Sequence, residues 1–130
     1  METLIVVKPD WAENADFLAE LNGLIKEHKL TIIFSKKATL KEDFWKEFYV
    51  GHIGTDYFDD MIIWLSSSPS IFLVVGGEKA LELVRWQIIG RKGSGLRGKY
   101  QKSELKNVAH ASDSDGSAIR EISLIHQWLG

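Results

Sequence analysis

Short apolar runs alternate along the chain with stretches in which apolar residues recur every three or four positions. Thr3 to Val7 (Thr-Leu-Ile-Val-Val) is a β-branched run ended by Lys8-Pro9-Asp10, which predicts a buried strand and then a turn. From Asp16 to about Lys29 the residues Phe17, Leu18, Leu21, Leu24 and Ile25 keep helical spacing. Leu30 to Ser35 predicts a second strand. Leu40 to Val50 predicts a short helix with Phe44, Trp45 and Phe48 inward, and Asp56 to Leu65 another, closed by Ser66-Ser67-Ser68-Pro69. Ser70 to Val75 reads as a third strand stopped by Gly76-Gly77. Glu78 to Ile89 reads as a helix with Leu81, Val84 and Ile88 on one face, ended at Gly90. Arg91 to Lys106 is polar and glycine-bearing, hence loop. Asn107 to Ala111 predicts a short strand. Asp113 or Ser114 then caps a helix through Trp128, with Ile119, Ile122 and Ile125 as its inner stripe.

The order βαββαβ with added helices predicts an α+β, ferredoxin-like fold: a four-stranded antiparallel sheet covered by helices on one face, with an inserted helical hairpin. Periodicity alone leaves a doubly wound parallel sheet as a rival. The expected organisation is one domain over residues 1–130, long enough to bury a core. No repeat, low-complexity tract or linker interrupts it.

Composition narrows the class. Hydrophobic residues make up 45% and charged residues 26%, a globular balance. Apolar runs such as Ile71 to Val75 are too short to span a bilayer, and no export signal opens the chain, so no membrane partner and a cytoplasmic home are expected. Cysteine is absent, which excludes disulfides and thiolate metal sites. No His-x-His or Glu-x-x-His pair stands at zinc-ligand spacing, and no phosphate-binding loop of the Gly-x-x-x-x-Gly-Lys type occurs.

The net charge of −2 gives no general pull toward nucleic acid. Cations nonetheless concentrate in one place: Arg85, Arg91, Lys92, Arg97, Lys99, Lys102 and Lys106 face the single acid Glu104. This basic stretch ends just before Asn107-Val108-Ala109-His110-Ala111-Ser112-Asp113, with Glu121 eleven positions beyond the histidine. Imidazole is largely uncharged and nucleophilic at neutral pH, and a carboxylate or hydroxyl neighbour fixes its tautomer. A nucleophile beside clustered cations points to phosphoryl transfer on a polyanionic substrate.

Taken together these segments resemble the nucleoside diphosphate kinase family over nearly the whole length. The signature Asn-x-x-His-(Gly or Ala)-Ser-Asp matches from Asn107 to Asp113, Lys8-Pro9-Asp10 matches the family's Lys-Pro-Asp, and Phe48-Tyr49 resembles its His-Tyr. Arg85 and Leu96-Arg97-Gly98 match its two phosphate-contacting arginines. The resemblance implies ping-pong transfer of a γ-phosphoryl group between nucleoside tri- and diphosphates through a phosphohistidine on His110, with Mg²⁺ carried by the nucleotide. It implies that Glu121 and Ser112 orient the imidazole, that Lys8, Arg85 and Arg97 neutralise phosphate charge, and that Tyr49 presents its hydroxyl near the transferred group. Asn107 would reach the ribose 3′-hydroxyl region, and Tyr57 and Met61, four apart on one helix, would hold the base. His28, His52 and His126 read as surface or packing residues. A homo-oligomer is expected, as a dimer, tetramer or hexamer, and no specific nucleic-acid partner.

The chain departs from the family pattern at identifiable places. Trp11-Ala12-Glu13-Asn14 replaces the usual small residues and Arg-Gly pair, the loop before Leu96 is short, and the family's phosphate-binding threonine has no clear counterpart, with Ser94 as one candidate. These changes sustain a second reading, a nucleotide-binding homologue with weak or no kinase activity that serves as a regulatory or interaction module.

Overall fold

In the computed structural model, which describes residues 1–91, 94–101 and 107–129, a four-stranded antiparallel sheet runs through the molecule. Its strands are β1 (Glu2–Val7), β2 (Thr31–Ala38), β3 (Ser70–Gly76) and β4 (Ala109–Ala111), in the order β2-β3-β1-β4. The antiparallel pairing removes the parallel rival. The described residues also form six α-helical segments, α1 (Ala15–Glu27), α2 (Glu42–Phe48), α3 (Phe58–Ser67), α4 (Ala80–Glu82), α5 (Gly95–Tyr100) and α6 (Asp115–Leu129), besides a 3-10 turn at Val50–His52 and a π-helical stretch at Leu83–Ile88. Lys92, Lys102, Glu104 and Lys106 of the basic stretch lie outside the described residues.

The central strand β1 is buried on both faces, as its continuous apolar run requires. Ile5 and Val7 pack with Phe17, Leu21 and Ile25 of α1 and with Val84 and Ile88. Leu4 and Val6 pack with Phe44 and Trp45 of α2, Met61 and Ile62 of α3, and Leu124 and Ile125 of α6. Helices therefore cover both faces, which corrects the one-face expectation. The reason lies in β3 as well as β1: Phe72 and Val74 feed one cluster while Leu73 and Val75 feed the other.

Three further expectations change. On α6 the buried residues are Ala118, Glu121, Leu124 and Ile125, whereas Ile119 is 72% exposed. Ile125 is buried and Ile122 half-buried as expected, so only Ile119 leaves the inner stripe, which Ala118, Glu121 and Leu124 complete. The segment read as loop after Arg91 contains α5. The helix expected from Glu78 to Ile89 is one short α turn followed by a π-helical stretch, Leu83–Ile88.

That wide turn and α5 meet at a tight pinch. Gly90 (φ 76°) and Gly95 (φ 60°) both take left-handed backbone. A Cβ on Gly90 would stand 2.4 Å from the Ser94 carbonyl oxygen, and one on Gly95 2.7 Å from that of Ile89. Arg97 N–H donates to the Ile89 carbonyl at 2.9 Å across the same contact. Only glycine permits this approach, which brings Arg85, Arg91 and Arg97 toward one end of the sheet.

Candidate active site

At that end, β1 and β4 place polar side chains on the face covered by α2, α3 and α6. Val6 stands opposite His110 in the strand register, and antiparallel partners share a face. Lys8, two residues past Val6, and Ser112, two past His110, fall on the same side by the period of two. Lys8 is buried at the end of β1, and its Nζ donates to Asn107 Oδ1 at 2.5 Å.

His110 Nε2 lies 2.8 Å from Glu121 Oε1, within hydrogen-bond distance. Ser112 Oγ donates to the same carboxylate oxygen at 2.7 Å and accepts from the Leu4 N–H at 3.4 Å. Ser112 thus bears on the imidazole through Glu121. Phe48 and Tyr49 meet the imidazole edge-on, with centroids 4.9 and 5.8 Å away. Carboxylate, hydroxyl and aromatic walls together hold the ring at one orientation.

An open cleft of about 620 Å³ leads to this group, a size suited to a small-molecule ligand. Of the residues singled out in the sequence, Lys8, Tyr49, Tyr57, Met61, Arg85, Arg97, Asn107, His110 and Glu121 all line it, and Ser112 does not. Tyr57 is the residue just before α3, and Met61 accepts its place one turn on, with its N–H bonded to the Tyr57 carbonyl at 2.9 Å. Arg91 of the basic stretch lines the cleft too, and sequence reasoning missed His52 and Arg120, which also line it. His52, read as a surface or packing residue, bonds through Nδ1 to the Tyr57 hydroxyl at 2.6 Å. Arg120 Nη2 donates to the Phe48 carbonyl at 2.7 Å. The available signal was position along the chain: Arg120 adjoins Glu121, and His52 follows Tyr49 by three. Ser94 is absent from the lining; its hydroxyl is engaged with the Arg91 backbone at 3.1 and 3.2 Å.

The electrostatics follow from burial and crowding of like charge. Burial pushes the Lys8 ammonium down to about 7, and the Arg97 guanidinium adds to the effect. Burial also lowers Arg97; Tyr49 opposes this, while Arg91 and Arg85 reinforce it. Arg97 is held by Nε and Nη2 on the Ala109 carbonyl, at 3.2 and 2.7 Å. Arg85 Nη1 donates to the Asp113 carbonyl. The Tyr49 phenol is pushed well above its ordinary range, by burial first and Glu121 second, so it stays protonated. Its hydroxyl is buried without a hydrogen-bond partner. A buried donor without a partner among the described residues, in a cleft lined by Lys8 and four arginines, is what an anionic ligand would satisfy.

A fold of this kind with a bonded histidine in a cationic cleft defines a phosphotransferase-like α+β protein. The sequence profile of the nucleoside diphosphate kinase family matches residues 1–128. A nucleoside diphosphate kinase from Staphylothermus marinus is 34% identical over 128 residues, covering 95% of this chain and 90% of that protein. One from Sulfurisphaera tokodaii is 30% identical, with 94% and 86% covered. Among solved structures, the Aquifex aeolicus nucleoside diphosphate kinase superposes with a TM-score of 0.85 at 32% identity, covering 95% and 93%. A halophilic nucleoside diphosphate kinase from Halobacterium salinarum, solved in complex with CDP, gives 0.86 at 25% identity, covering 95% and 86%. The chain belongs to the nucleoside diphosphate kinase family and is an enzyme of the phosphotransferase class. Among the described residues, no helix is long and apolar enough to cross a membrane.

Proposed function

We propose that the chain transfers the γ-phosphoryl group of a nucleoside triphosphate to a nucleoside diphosphate in two halves, through His110. The observation that carries this reading is the 2.8 Å contact between His110 Nε2 and Glu121. With Nε2–H donating to the carboxylate, the ring's lone pair resides on Nδ1. In the first half the Nδ1 lone pair attacks the γ-phosphorus. A P–N bond forms, the bond from the γ-phosphorus to the bridging oxygen breaks, and the diphosphate leaves with that electron pair. In the second half a diphosphate oxygen attacks the phosphohistidine and the P–N bond breaks.

The rest of the site aligns the groups and neutralises charge, which is most of what phosphoryl transfer asks of a protein. Arginine forks suit the non-bridging oxygens of the phosphates, and Lys8 acts as a point charge. A bound phosphate would draw the Lys8 ammonium back to its charged form. The protonated Tyr49 hydroxyl has its one free donor for the transferring group. Asn107 reaches the sugar hydroxyls, and the base stacks between Tyr57 and Met61 without its edge being read.

Mg²⁺ is the ion this reading implies. Of the two carboxylates lining the cleft, Glu121 is committed to His110 and Ser112, which leaves Asp113. The chain supplies too few oxygens for an octahedral shell, so the nucleotide phosphates and water would hold the ion. Bound there, it would neutralise phosphate charge. The exposed edge strand β2, carrying Ile32 and Ile33 on its surface, is the natural place for a second copy of the chain to pair.

The deciding experiment is incubation with γ-labelled ATP and Mg²⁺. An acid-labile, alkali-stable label is expected on the wild type, chased by any added nucleoside diphosphate and abolished in His110→Ala, with turnover down by about 10⁴-fold or more. Tight nucleotide binding without any label would establish the regulatory module in its place.

A further inference from the structure

Trp86 is an indole with no core to fill. It is 51% exposed on the π-helical stretch, and its ring carries two guanidiniums: Arg85 at 4.9 Å and Arg91 at 5.4 Å from the centroid. Both arginines line the cleft, whereas Trp86 does not. Two like charges sharing one exposed ring repel each other, so the pair is favourable only where something anionic is to be met or where the ring's negative face offsets the repulsion. The wide turn at Leu83–Ile88 and the pinch at Gly90 set the ring and Arg91 side by side. Ser94 Oγ closes the loop on the Arg91 backbone from the other side, at 3.1 and 3.2 Å. Arg91 is therefore fixed at its backbone by Ser94 and at its tip by Trp86.

We infer that Arg91 is a further phosphate-contacting residue and that Trp86 is the positioning residue that aims it, a clamp on the phosphates of nucleoside di- and triphosphates. The inference rests on the nucleotide-transfer reading above. Arg85 is already tied to the Asp113 carbonyl and Arg97 to that of Ala109. Arg91 has its backbone bonded and its guanidinium stacked on an aromatic face, which leaves the edge N–H donors of the fork for phosphate oxygens. Because Arg91 is solvent-exposed, screening limits its effect. It should tune affinity and the preference for more than one phosphate.

The test measures dissociation constants for AMP, ADP and ATP by calorimetry on the wild type, Arg91→Ala, Arg91→Lys, Trp86→Leu and the double variant Arg91→Ala/Trp86→Leu. Phosphohistidine labelling at saturating ATP is measured in parallel. Arg91→Ala should weaken ADP and ATP about five- to tenfold and AMP less than about twofold. Arg91→Lys should recover part of the loss, since it keeps the charge without the planar fork. Trp86→Leu should weaken ADP and ATP about threefold alone and add little once Arg91 is gone. A wild type that labels normally while Arg91→Ala binds all three nucleotides unchanged would overturn the clamp and leave the transfer reading standing. Additive losses in the double variant would overturn the role given to Trp86. A wild type that neither labels nor binds any of the nucleotides would remove the transfer reading and the clamp with it.

Discussion

The two walls of the cleft are built in different ways. On the strand side, His110, Glu121 and Ser112 form a chain of short bonds, and Lys8, Tyr49, Ser112 and Glu121 are all buried. On the helix side, Arg91 and Trp86 are exposed and Arg85 is half-buried, held by a carbonyl and by cation–π stacking. The difference divides the labour. A nucleophile aimed at phosphorus tolerates little misplacement, since about 1 Å can reduce rate by 10²-fold. Cations that grip a polyphosphate act over longer distances and can be fewer or more without loss of alignment. In the proposed transfer the dry wall would set rate and the wet wall affinity.

Lys8 tests this division hardest, because it is a cation placed on the dry wall. Lys8→Met should lower kcat/KM by about 10²–10³-fold, the scale of losing one preorganised electrostatic contact. The same variant should be more stable without nucleotide, by about 1–3 kcal/mol at pH 7, since an ammonium no longer has to be buried. The pH dependence has a definite sign. Lys8 falls from the ordinary lysine value of 10.5 unfolded to about 7 folded, so between those values the unfolded chain binds the extra proton. Apo stability from this group should therefore rise from pH 7 to pH 10.5. Below pH 7 the full penalty of burying the charge remains. Thermal unfolding of both proteins across that range checks it, and parallel curves would refute it. Nucleotide binding at pH 8 should take up a proton, measurable by calorimetry in buffers of different ionisation enthalpy.

Glu121→Gln addresses the same wall with the geometry nearly preserved. The amide oxygen can still accept from His110 and Ser112, but the negative charge that favours the donating tautomer is gone. A fall in kcat of about 10–10²-fold with KM within about twofold is expected. A change confined to KM would move Glu121 to the wet wall and break the comparison.

Gly90→Ala reaches the wet wall through its backbone. The new Cβ would clash with the Ser94 carbonyl at 2.4 Å in left-handed backbone, so the pinch has to open. A loss of about 2–4 kcal/mol, seen as a Tm lower by about 10 °C, is expected. Because Arg91 and Arg97 hang from that pinch, nucleotide affinity should fall further than labelling at saturation.

Much of this was legible in the residue pattern. All four strands were expected where they stand, three of them from β-branched runs, and the partners of His110 were named from the family signature, whereas the register that faces it with Val6 came from the structure. What escaped did so for identifiable physical reasons. The second helical layer was missed because a strand buried on both faces looks like any apolar run. The stripe on α6 held at Ile122 and Ile125 but not at Ile119, and it missed Glu121, which faces inward and is counted as polar though two hydrogen bonds satisfy it. Helix α5 was lost in a basic, glycine-bearing stretch whose end is set by contact with Ile89 rather than by propensity. Arg91 was grouped with the basic stretch, but its place on the Trp86 ring beside Arg85 depends on the pinch at Gly90, which spacing along the chain does not encode.

The smallest effect should come from Tyr57, which stands on the rim where the base would stack. It is 41% exposed, and its hydroxyl meets His52 Nδ1 at 2.6 Å, while the His52 ring lies edge-on to Tyr49 at 5.4 Å. This links the rim to the dry wall by two aromatic contacts and one exposed hydrogen bond. Exposed bonds of that kind contribute about 0.5–1 kcal/mol at most, so Tyr57→Phe should raise nucleotide dissociation constants less than about threefold and leave kcat unchanged. The stacking face survives the substitution, and only the anchor of His52 is removed. Tyr57→Ala should weaken every nucleotide about equally, because a stacked base is held by its face. If Tyr57→Phe instead cut kcat as Glu121→Gln is expected to, the rim would be mechanically coupled to Tyr49, and the separation of rate from affinity between the two walls would not hold.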